Sequence, residues 1–309
     1  MSSPTHVECE QPVDVVVDPR LSRGVKAFLQ RLNAAGGPPL ETLPPLEARA
    51  VLAHAQAAVA VDLSGIEESE KTINTDGYTI PLNIVRPAGA TGPRPVFIFI
   101  HGGGWVLGDY PTHQRMVRDL AVLSGVPGVF VHSTRTPEAR YPQAVQEIYA
   151  ATQWGAAHGE ELGGDGQTLA VGGKSVGGKR TAVTALKAKE QGGPAITLQS
   201  MMWPIVDATC DTASSRQCGE QRFLTTSLMR WRYDLYTTAP KERQAISASP
   251  LPATVEQVQG LPPALIQGAE SDLLRDEGEA YGRKLDAAGV TVTTVRYDGM
   301  IHDFGLLNG

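Results

Sequence analysis

One serine lies between two pairs of glycines in the stretch Leu169–Gly178, and it is the first candidate for chemistry. Ser175 follows Gly173 by two residues and precedes Gly177 by two, in the pattern Gly-x-Ser-x-Gly. This spacing is typical of a tight turn from a strand into a helix, because only glycine fits where the backbone passes so close to its neighbours. Such a turn lifts the hydroxyl above a sheet and directs the helix N-terminus towards a developing oxyanion. We therefore interpret Ser175 as a candidate nucleophile.

Two other interpretations of this stretch are possible. The five-residue pattern can be a plain turn, and Gly173-Lys174-Ser175 is similar to the end of a phosphate-binding P-loop. That loop requires glycine five residues before Gly173, where Thr168 stands, and Leu169–Val171 predicts a strand instead of a flexible loop. A nucleotide-binding site is therefore disfavoured.

A serine hydroxyl needs a base to remove its proton, and His302 is the histidine that follows Ser175 in the chain. In enzymes with a nucleophile on such a turn, one common chain order is serine, acid, histidine. Asp272, on the segment after a short apolar run, is the candidate acid that would orient the imidazole. Glu270 is the competing carboxylate, whereas Asp276 is expected to lie in the next helix and face solvent.

Three consecutive glycines follow His101, directly after the apolar run Val96–Ile100. Gly102–Gly104 leave their backbone N–H groups uncovered, so these groups can converge on one small volume. Together with the N–H of Val176, the residue after the candidate nucleophile, they could form an oxyanion hole. The alternative is a flexible glycine loop, which the position after a predicted core strand disfavours.

The elements that must hold these residues alternate along most of the chain. Asp76-Gly77 lies between two alternating runs and predicts an antiparallel hairpin. The predicted strands are 68–74, 78–85, 96–100, 128–131, 168–171, 196–201, 264–266 and 290–297, and the predicted helices between them are 113–124, 142–158, 177–191 and 276–289. This alternation predicts an α/β fold with a mostly parallel, mixed sheet covered by helices on both faces.

Two predicted helices precede the first strand, and one insertion interrupts the alternation. Ser22 is the candidate N-cap of the first helix, and the second runs from about Pro45 to Val61. The segment Pro204–Gly260 contains a predicted helix at Phe223–Tyr236. Because this insertion lies between two strands, we expect it over their carboxyl ends, beside a substrate pocket. The first two helices can be either a packing extension or a lid.

Composition narrows the class of protein. The 309 residues, with 41% hydrophobic and 19% charged content, predict a globular chain with a sizeable core in one large or two small domains. A net charge of -6 without a basic stripe argues against nucleic-acid binding. No signal segment or apolar run long enough for a membrane span is visible. Cys9, Cys210 and Cys218 lack metal-ligand spacing and leave one thiol unpaired, which favours the cytoplasm.

Four segments, taken in chain order, resemble the motifs of the hormone-sensitive-lipase-like (HGGG-type) carboxylesterases of the α/β-hydrolase superfamily: His101–Trp105, Gly173–Gly177, Gly268–Glu277 and Gly299–Phe304. The resemblance covers roughly residues 65–304. It implies an eight-stranded α/β-hydrolase domain at 66–309. It also implies a helical cap formed by residues 1–65 and an insertion at about 205–245.

The resemblance also implies an activity, namely hydrolysis of short-chain acyl esters by a Ser-His-Asp triad without cofactor or metal. In this family Gly103 and Gly104 would donate to the oxyanion. The residues expected to shape the site without reacting are His101, Gly102, Gly173 and Gly177. The partner would be a small-molecule ester. One alternative is amide or carbamate hydrolysis by the same triad. Another is a non-catalytic ligand-binding homologue, as in the plant gibberellin receptors, which lack the histidine that His302 supplies here.

Three departures from the family pattern carry further expectations. Lys174 and Val176 stand where the family usually has aspartate and alanine. A cation near His302 would disfavour the imidazolium, and the branched valine would narrow the acyl site. We therefore expect lower activity or altered specificity, as in an engineered variant, and higher turnover after Lys174→Asp with Val176→Ala. The chain ends at Gly309, where the family continues into a helix, so we expect exposed apolar surface and a homodimer.

Overall fold

An eight-stranded sheet runs through the chain. In the computed structural model, which describes residues 14–92, 94–165 and 167–308, the strands are β1 (Ile66–Thr75), β2 (Tyr78–Pro87), β3 (Val96–Ile100), β4 (Gly128–Val131), β5 (Leu169–Lys174), β6 (Ile196–Met202), β7 (Ala264–Ala269) and β8 (Val292–Tyr297). Their order across the sheet is β1-β2-β4-β3-β5-β6-β7-β8. The pairs β1–β2 and β2–β4 are antiparallel and the other neighbours are parallel, which confirms the predicted mixed sheet. Cys9, Gly309 and the residues searched for a signal segment lie outside the described part of the chain.

Ten α-helices of the described residues surround this sheet or precede it. They are α1 (Arg23–Ala34), α2 (Pro45–Ala57), α3 (Tyr110–Ser124), α4 (Gln143–Ala157), α5 (Val176–Gln191), α6 (Ala213–Cys218), α7 (Thr226–Tyr236), α8 (Pro240–Arg243), α9 (Val255–Val258) and α10 (Arg275–Ala287). The predicted N-cap of α1 is confirmed, since Ser22 Oγ accepts from Val25 N–H at 3.3 Å. The helix α3 begins earlier than predicted, because the Asp109 carboxylate caps it by accepting from Thr112 N–H at 3.1 Å.

The core lies on both faces of the central strands. Alternate residues of a strand point to opposite faces, so Ile98 and Ile100 of β3 pack with Ile148 of α4 on one face. Phe99, between them, packs with Val117 of α3 on the other face. Burial of each such side chain contributes about 1.5–3 kcal/mol. This double burial explains why the central strands are continuous apolar runs and why their positions could be predicted.

The candidate residues follow the carboxyl ends of four parallel strands. The loops after β3, β5, β7 and β8 carry the glycine run, Ser175, Asp272 and His302. Parallel strands end at the same edge of a sheet, so these loops meet there. Above the glycine run, the buried cluster of Ala48, Val106 and Leu107 joins α2 to Trp231 and Leu235 of α7.

Candidate active site

Ser175 occupies a strained turn between β5 and α5. Its φ of 55° and ψ of -121° are unfavourable for a residue with a side chain and cost about 1–3 kcal/mol. The turn is held by Ser175 N–H, which donates to Met202 O at 2.8 Å. A Cβ added at Gly177 would lie 2.0 Å from Ile100 O, and one added at Gly173 would lie 2.5 Å from the same atom. The two glycines therefore let the turn pack directly against the end of β3.

The structure brings Ser175, His302 and Asp272 into one hydrogen-bonded chain. Ser175 Oγ lies 3.1 Å from His302 Nε2, and His302 Nδ1 lies 2.7 Å from Asp272 Oδ2. The other carboxylate oxygen of Asp272 accepts from Leu274 N–H at 3.0 Å. The three residues are only 1–3% exposed. With Nδ1–H donating to the carboxylate, Nε2 is left free to accept the serine proton.

In the part of the chain that the structure describes, neither the competing carboxylate, Glu270, nor Asp276 makes a hydrogen bond to the imidazole. Glu270 accepts from Gly299 N–H at 2.8 Å and so fixes the turn that precedes His302. Asp276 is partly buried, accepts from Ser214 N–H at 2.7 Å and pairs with Arg275 at 2.8 Å. Asp276 lies in α10 as expected and its side chain is 28% exposed, but its carboxylate is engaged in hydrogen bonds and an ion pair. Its carboxylate caps the short helix α6 and ties the insertion to α10.

The glycine loop supplies free backbone donors beside the serine. Gly103 and Gly104 have φ values of +98° and +58°, which favour glycine. Within the described residues, the N–H groups of Gly103, Gly104 and Val176 donate no hydrogen bond. Gly102 packs against Lys174, since a Cβ there would lie 2.7 Å from Lys174 O. The loop thus adjoins the residue before Ser175, as an oxyanion hole would require.

His101 and His113 hold the beginning of this loop. His101 Nδ1 contacts Gly102 O at 2.8 Å, and its Nε2 contacts Ser133 Oγ at 3.2 Å. Burial, with a smaller contribution from the Arg180 charge, lowers the pKa of His101 to about 3, so the ring is neutral. His113 Nε2 accepts from Gly102 N–H at 3.3 Å. Sequence reasoning did not find this contact of His113, because its eleven-residue separation follows no motif.

Lys174 is paired with an acid that the sequence analysis did not identify. Its Nζ lies 2.8 and 3.0 Å from the carboxylate oxygens of Asp303, which also accepts from Trp203 Nε1 at 2.8 Å. Burial, the largest single influence, raises the pKa of Asp303, but the Lys174 charge and hydrogen bond, with smaller contributions from His302 and His113, together hold this pKa below its usual range. Asp303 Oδ1 is 3.7 Å from His302 Nε2. The expected unopposed cation near His302 is therefore a neutralised ion pair.

Side chains of the insertion cover the site. Val176 is fully buried in a cluster with Trp105, Tyr233 and Leu273, and the rings of Trp105 and Tyr236 stack at 4.4 Å. The predicted effect of Val176 on the acyl site stays a prediction. In the described residues, no group of three or more His, Cys, Asp or Glu side chains is placed to hold a metal ion. Nor does any described helix combine the length and apolarity that crossing a bilayer requires.

In sequence and fold, this chain is similar to ester hydrolases. A family model described as alpha/beta hydrolase fold matches residues 97–306. The ethyl acetate hydrolase of Pseudomonas putida is 33% identical over 298 residues, covering 92% of each chain. Carboxylesterase NlhH of Mycobacterium tuberculosis is 33% identical over 238 residues, covering 76% of this chain and 74% of the relative. The solved structure of a thermostable esterase from Pseudomonas putida ECU1011 is 59% identical with a TM-score of 0.93, covering 94% and 91% of the two chains.

Proposed function

Because this chain belongs to the α/β-hydrolase fold family, among the hormone-sensitive-lipase-like carboxylesterases, we infer that it hydrolyses carboxylic esters through an acyl-enzyme. The observation that carries this inference is the chain of contacts from Ser175 Oγ to His302 Nε2, and from His302 Nδ1 to Asp272. An activated serine oxygen beside free backbone donors can attack an ester carbonyl at neutral pH.

We propose the following roles for the side chains. His302 Nε2 removes the proton of Ser175 Oγ as that oxygen attacks the carbonyl carbon. Asp272 keeps the imidazole in the required tautomer and stabilises the imidazolium without taking its proton. His302 then gives the proton to the leaving alcohol oxygen, and a water molecule repeats the sequence on the acyl-enzyme.

The carbonyl oxygen gains negative charge during both attacks. We propose that the N–H groups of Gly103, Gly104 and Val176 bind this oxygen. The proposal is supported by their lack of other hydrogen-bond acceptors within the described residues. Loss of one such donor typically costs about 3–4 kcal/mol of transition-state stabilisation. Backbone N–H groups cannot be removed by side-chain substitution, so the test is the binding of a transition-state analogue such as a trifluoromethyl ketone.

Short acyl groups are the proposed substrates. The support is the burial of Ser175 and the packing of Val176 against aromatic side chains, which leaves little room beside the nucleophile. The test is a p-nitrophenyl ester series from acetate to decanoate, assayed with the wild type and with Ser175→Ala. We expect kcat/KM to fall with acyl length and the variant to lose at least 10³-fold activity. An equally active variant would remove Ser175 from the mechanism, and no activity in either protein would favour the ligand-binding alternative.

Amide and carbamate substrates are tested in the same assay. The attacking residues are shared with ester hydrolysis, so p-nitroacetanilide is compared with p-nitrophenyl acetate. We expect the ester to be hydrolysed at least 10³-fold faster. Comparable rates would assign the enzyme to amide hydrolysis as well.

We make three further proposals, about the domain organisation, the location and the oligomeric state of the protein. Residues 1–65, of which 1–13 lie outside the described part, and an insertion at about 205–245 are proposed to form a cap on the hydrolase domain, supported by the packing of α2 and α7 over Val106. A cytoplasmic location is supported by the free thiols of Cys210 and Cys218. A homodimer is supported by the position of β8 at the edge of the sheet. Light scattering after size-exclusion chromatography tests the last of these.

A further inference from the structure

Arg232 on α7 is a buried arginine with no partner. Arg232 is 6% exposed. Among the described residues, its guanidinium makes no hydrogen bond or ion pair. The Nε atom is buried without an acceptor. Arg180 and Arg222 also have a buried Nε without an acceptor, but each guanidinium has a partner elsewhere: Arg222 pairs with Asp18, and Arg180 contacts Ser133 Oγ at 3.4 Å. Leaving a buried charged donor unpaired is costly, so the exception requires an explanation.

This guanidinium lies directly on the glycine loop. A Cβ added at Gly104 would be 2.1 Å from Arg232 Cδ, 2.4 Å from Nε and 2.8 Å from Cζ. Gly104 is one of the proposed oxyanion donors. A group bound by Arg232 would therefore lie within a few bonds of the ester carbonyl whose oxygen Gly104 binds.

The acids nearest to Arg232 are engaged elsewhere. Asp303 is paired with Lys174 and accepts from Trp203, and Glu41 accepts from Ser227 Oγ at 2.5 Å. Neither carboxylate lies within 4.0 Å of the guanidinium.

The region around Arg232 carries a surplus positive charge. Burial lowers the pKa of Arg232 to about 10, with Asp303 and Glu41 opposing the shift, so the side chain is a cation at neutral pH. Asp303 already neutralises Lys174. One cation beside the glycine loop is thus left without a counter-charge from the described residues.

We propose that Arg232 binds a carboxylate of the substrate, so that the preferred esters carry a carboxylate close to the scissile bond. The planar guanidinium matches a carboxylate with two parallel hydrogen bonds. Two kinds of ester have this chemistry, half-esters of dicarboxylic acids and acyl esters of hydroxy acids. The inference rests on the proposed esterase function and adds the substrate class to it.

The experiment compares matched charged and neutral esters. Ethyl hydrogen succinate is paired with diethyl succinate, and acetoxyacetate with acetoxyacetamide, so that the first pair tests an acyl-side carboxylate and the second an alcohol-side one. We expect at least one charged ester to have a kcat/KM tenfold or more above that of its neutral partner. Arg232→Met should lower kcat/KM for that charged ester by 10- to 100-fold, mainly through KM, and should change the neutral ester less than threefold. Arg232→Lys should recover part of the loss.

Controls separate a substrate contact from a structural role. Arg230→Met changes an exposed arginine of the same helix and should leave all four rates unchanged. Arg232→Met should unfold at the same temperature as the wild type or a higher one, because it removes an unpaired buried charge. Succinate should inhibit wild-type hydrolysis of diethyl succinate competitively, a measurement that requires no variant.

Several outcomes would overturn the proposal. Equal losses on charged and neutral esters would mean that Arg232 acts on the oxyanion or on the fold. If the wild type hydrolyses the neutral esters faster than the charged ones and succinate does not inhibit it, the carboxylate contact is refuted while the esterase function stands. If none of the four esters nor p-nitrophenyl acetate is hydrolysed in a Ser175-dependent way, the esterase function itself fails.

Discussion

Replacing Lys174 by methionine should destabilise the fold strongly, because the change leaves the Asp303 carboxylate buried without its cation. The side chains of Lys174 and Asp303 are 0% and 9% exposed, and two hydrogen bonds of 2.8 and 3.0 Å join them. Removing one member of such a buried pair costs about 3–5 kcal/mol. After the substitution, the Trp203 indole would be the one remaining donor to this carboxylate among the described contacts.

The same substitution should lower activity beyond its effect on folding. Asp303 Oδ1 lies 3.7 Å from His302 Nε2, the atom that must accept the Ser175 proton. Without Lys174, the anion would attract the imidazolium at Nε2 and compete with proton transfer to the leaving group. We expect kcat to fall by at least tenfold. This reasoning also reverses the effect expected for Lys174→Asp, since two carboxylates would then share one buried site.

A double-mutant cycle measures the pair directly. Urea unfolding at pH 7 is recorded for Lys174→Met, Asp303→Asn and the double variant, with Lys241→Met at an exposed position of α8 as the control. Because both charges are removed together, the double variant should lose less stability than the two single losses added. The coupling free energy should reach about 2 kcal/mol or more, within the range measured for contacting residues. A loss below about 1 kcal/mol for Lys174→Met, or a coupling near zero, would refute the reasoning.

Three further predictions follow from the site and its supports. Asp272→Asn should lower kcat for ester hydrolysis about 10⁴-fold, because the required imidazole tautomer is lost. Glu270→Gln should lower kcat less than tenfold. Similar losses of kcat in the two variants would contradict the assignment of Asp272 as the acid of the triad. Gly177→Ala should cost more than about 3 kcal/mol, because its Cβ would meet a β3 carbonyl oxygen at 2.0 Å, while Gly24→Ala has open space and should be neutral or stabilising in urea unfolding. The free energy of unfolding should fall as pH decreases from about 6.5 towards 3, because the unfolded chain takes up a proton that His101, with a folded pKa of about 3, resists. The slope from this group is about 1.4 kcal/mol per pH unit, and His101→Asn should reduce it.

The sheet and the reacting residues could be predicted because their signals are local. Continuous apolar runs mark strands buried on both faces, and glycine at fixed distances from Ser175 marks a turn that tolerates no Cβ. The start of α3 was missed because its cap, Asp109, lies outside the apolar pattern. The bounds of α2 were also shorter than predicted, since the helix ends at Ala57.

Long-range pairing explains what could not be predicted. Lys174 and Asp303 are 129 residues apart, and nothing in either segment alone reveals the ion pair. Arg232 lies in an insertion without a repeating pattern, so its position over Gly104 depends on how α7 packs, which periodicity does not specify. A lysine beside a buried nucleophile does, however, imply that a counter-charge must exist somewhere.

The nucleophile follows a central strand of the sheet, whereas its base follows a strand at the edge. Ser175 follows β5, which lies between β3 and β6, whereas His302 follows β8, which pairs with β7 on one side. Peripheral strands open at lower free energy than central ones. Mild heating should therefore detach the imidazole while most of the backbone stays ordered. Early thermal inactivation would then be reversible on cooling and would precede the main loss of the circular dichroism signal.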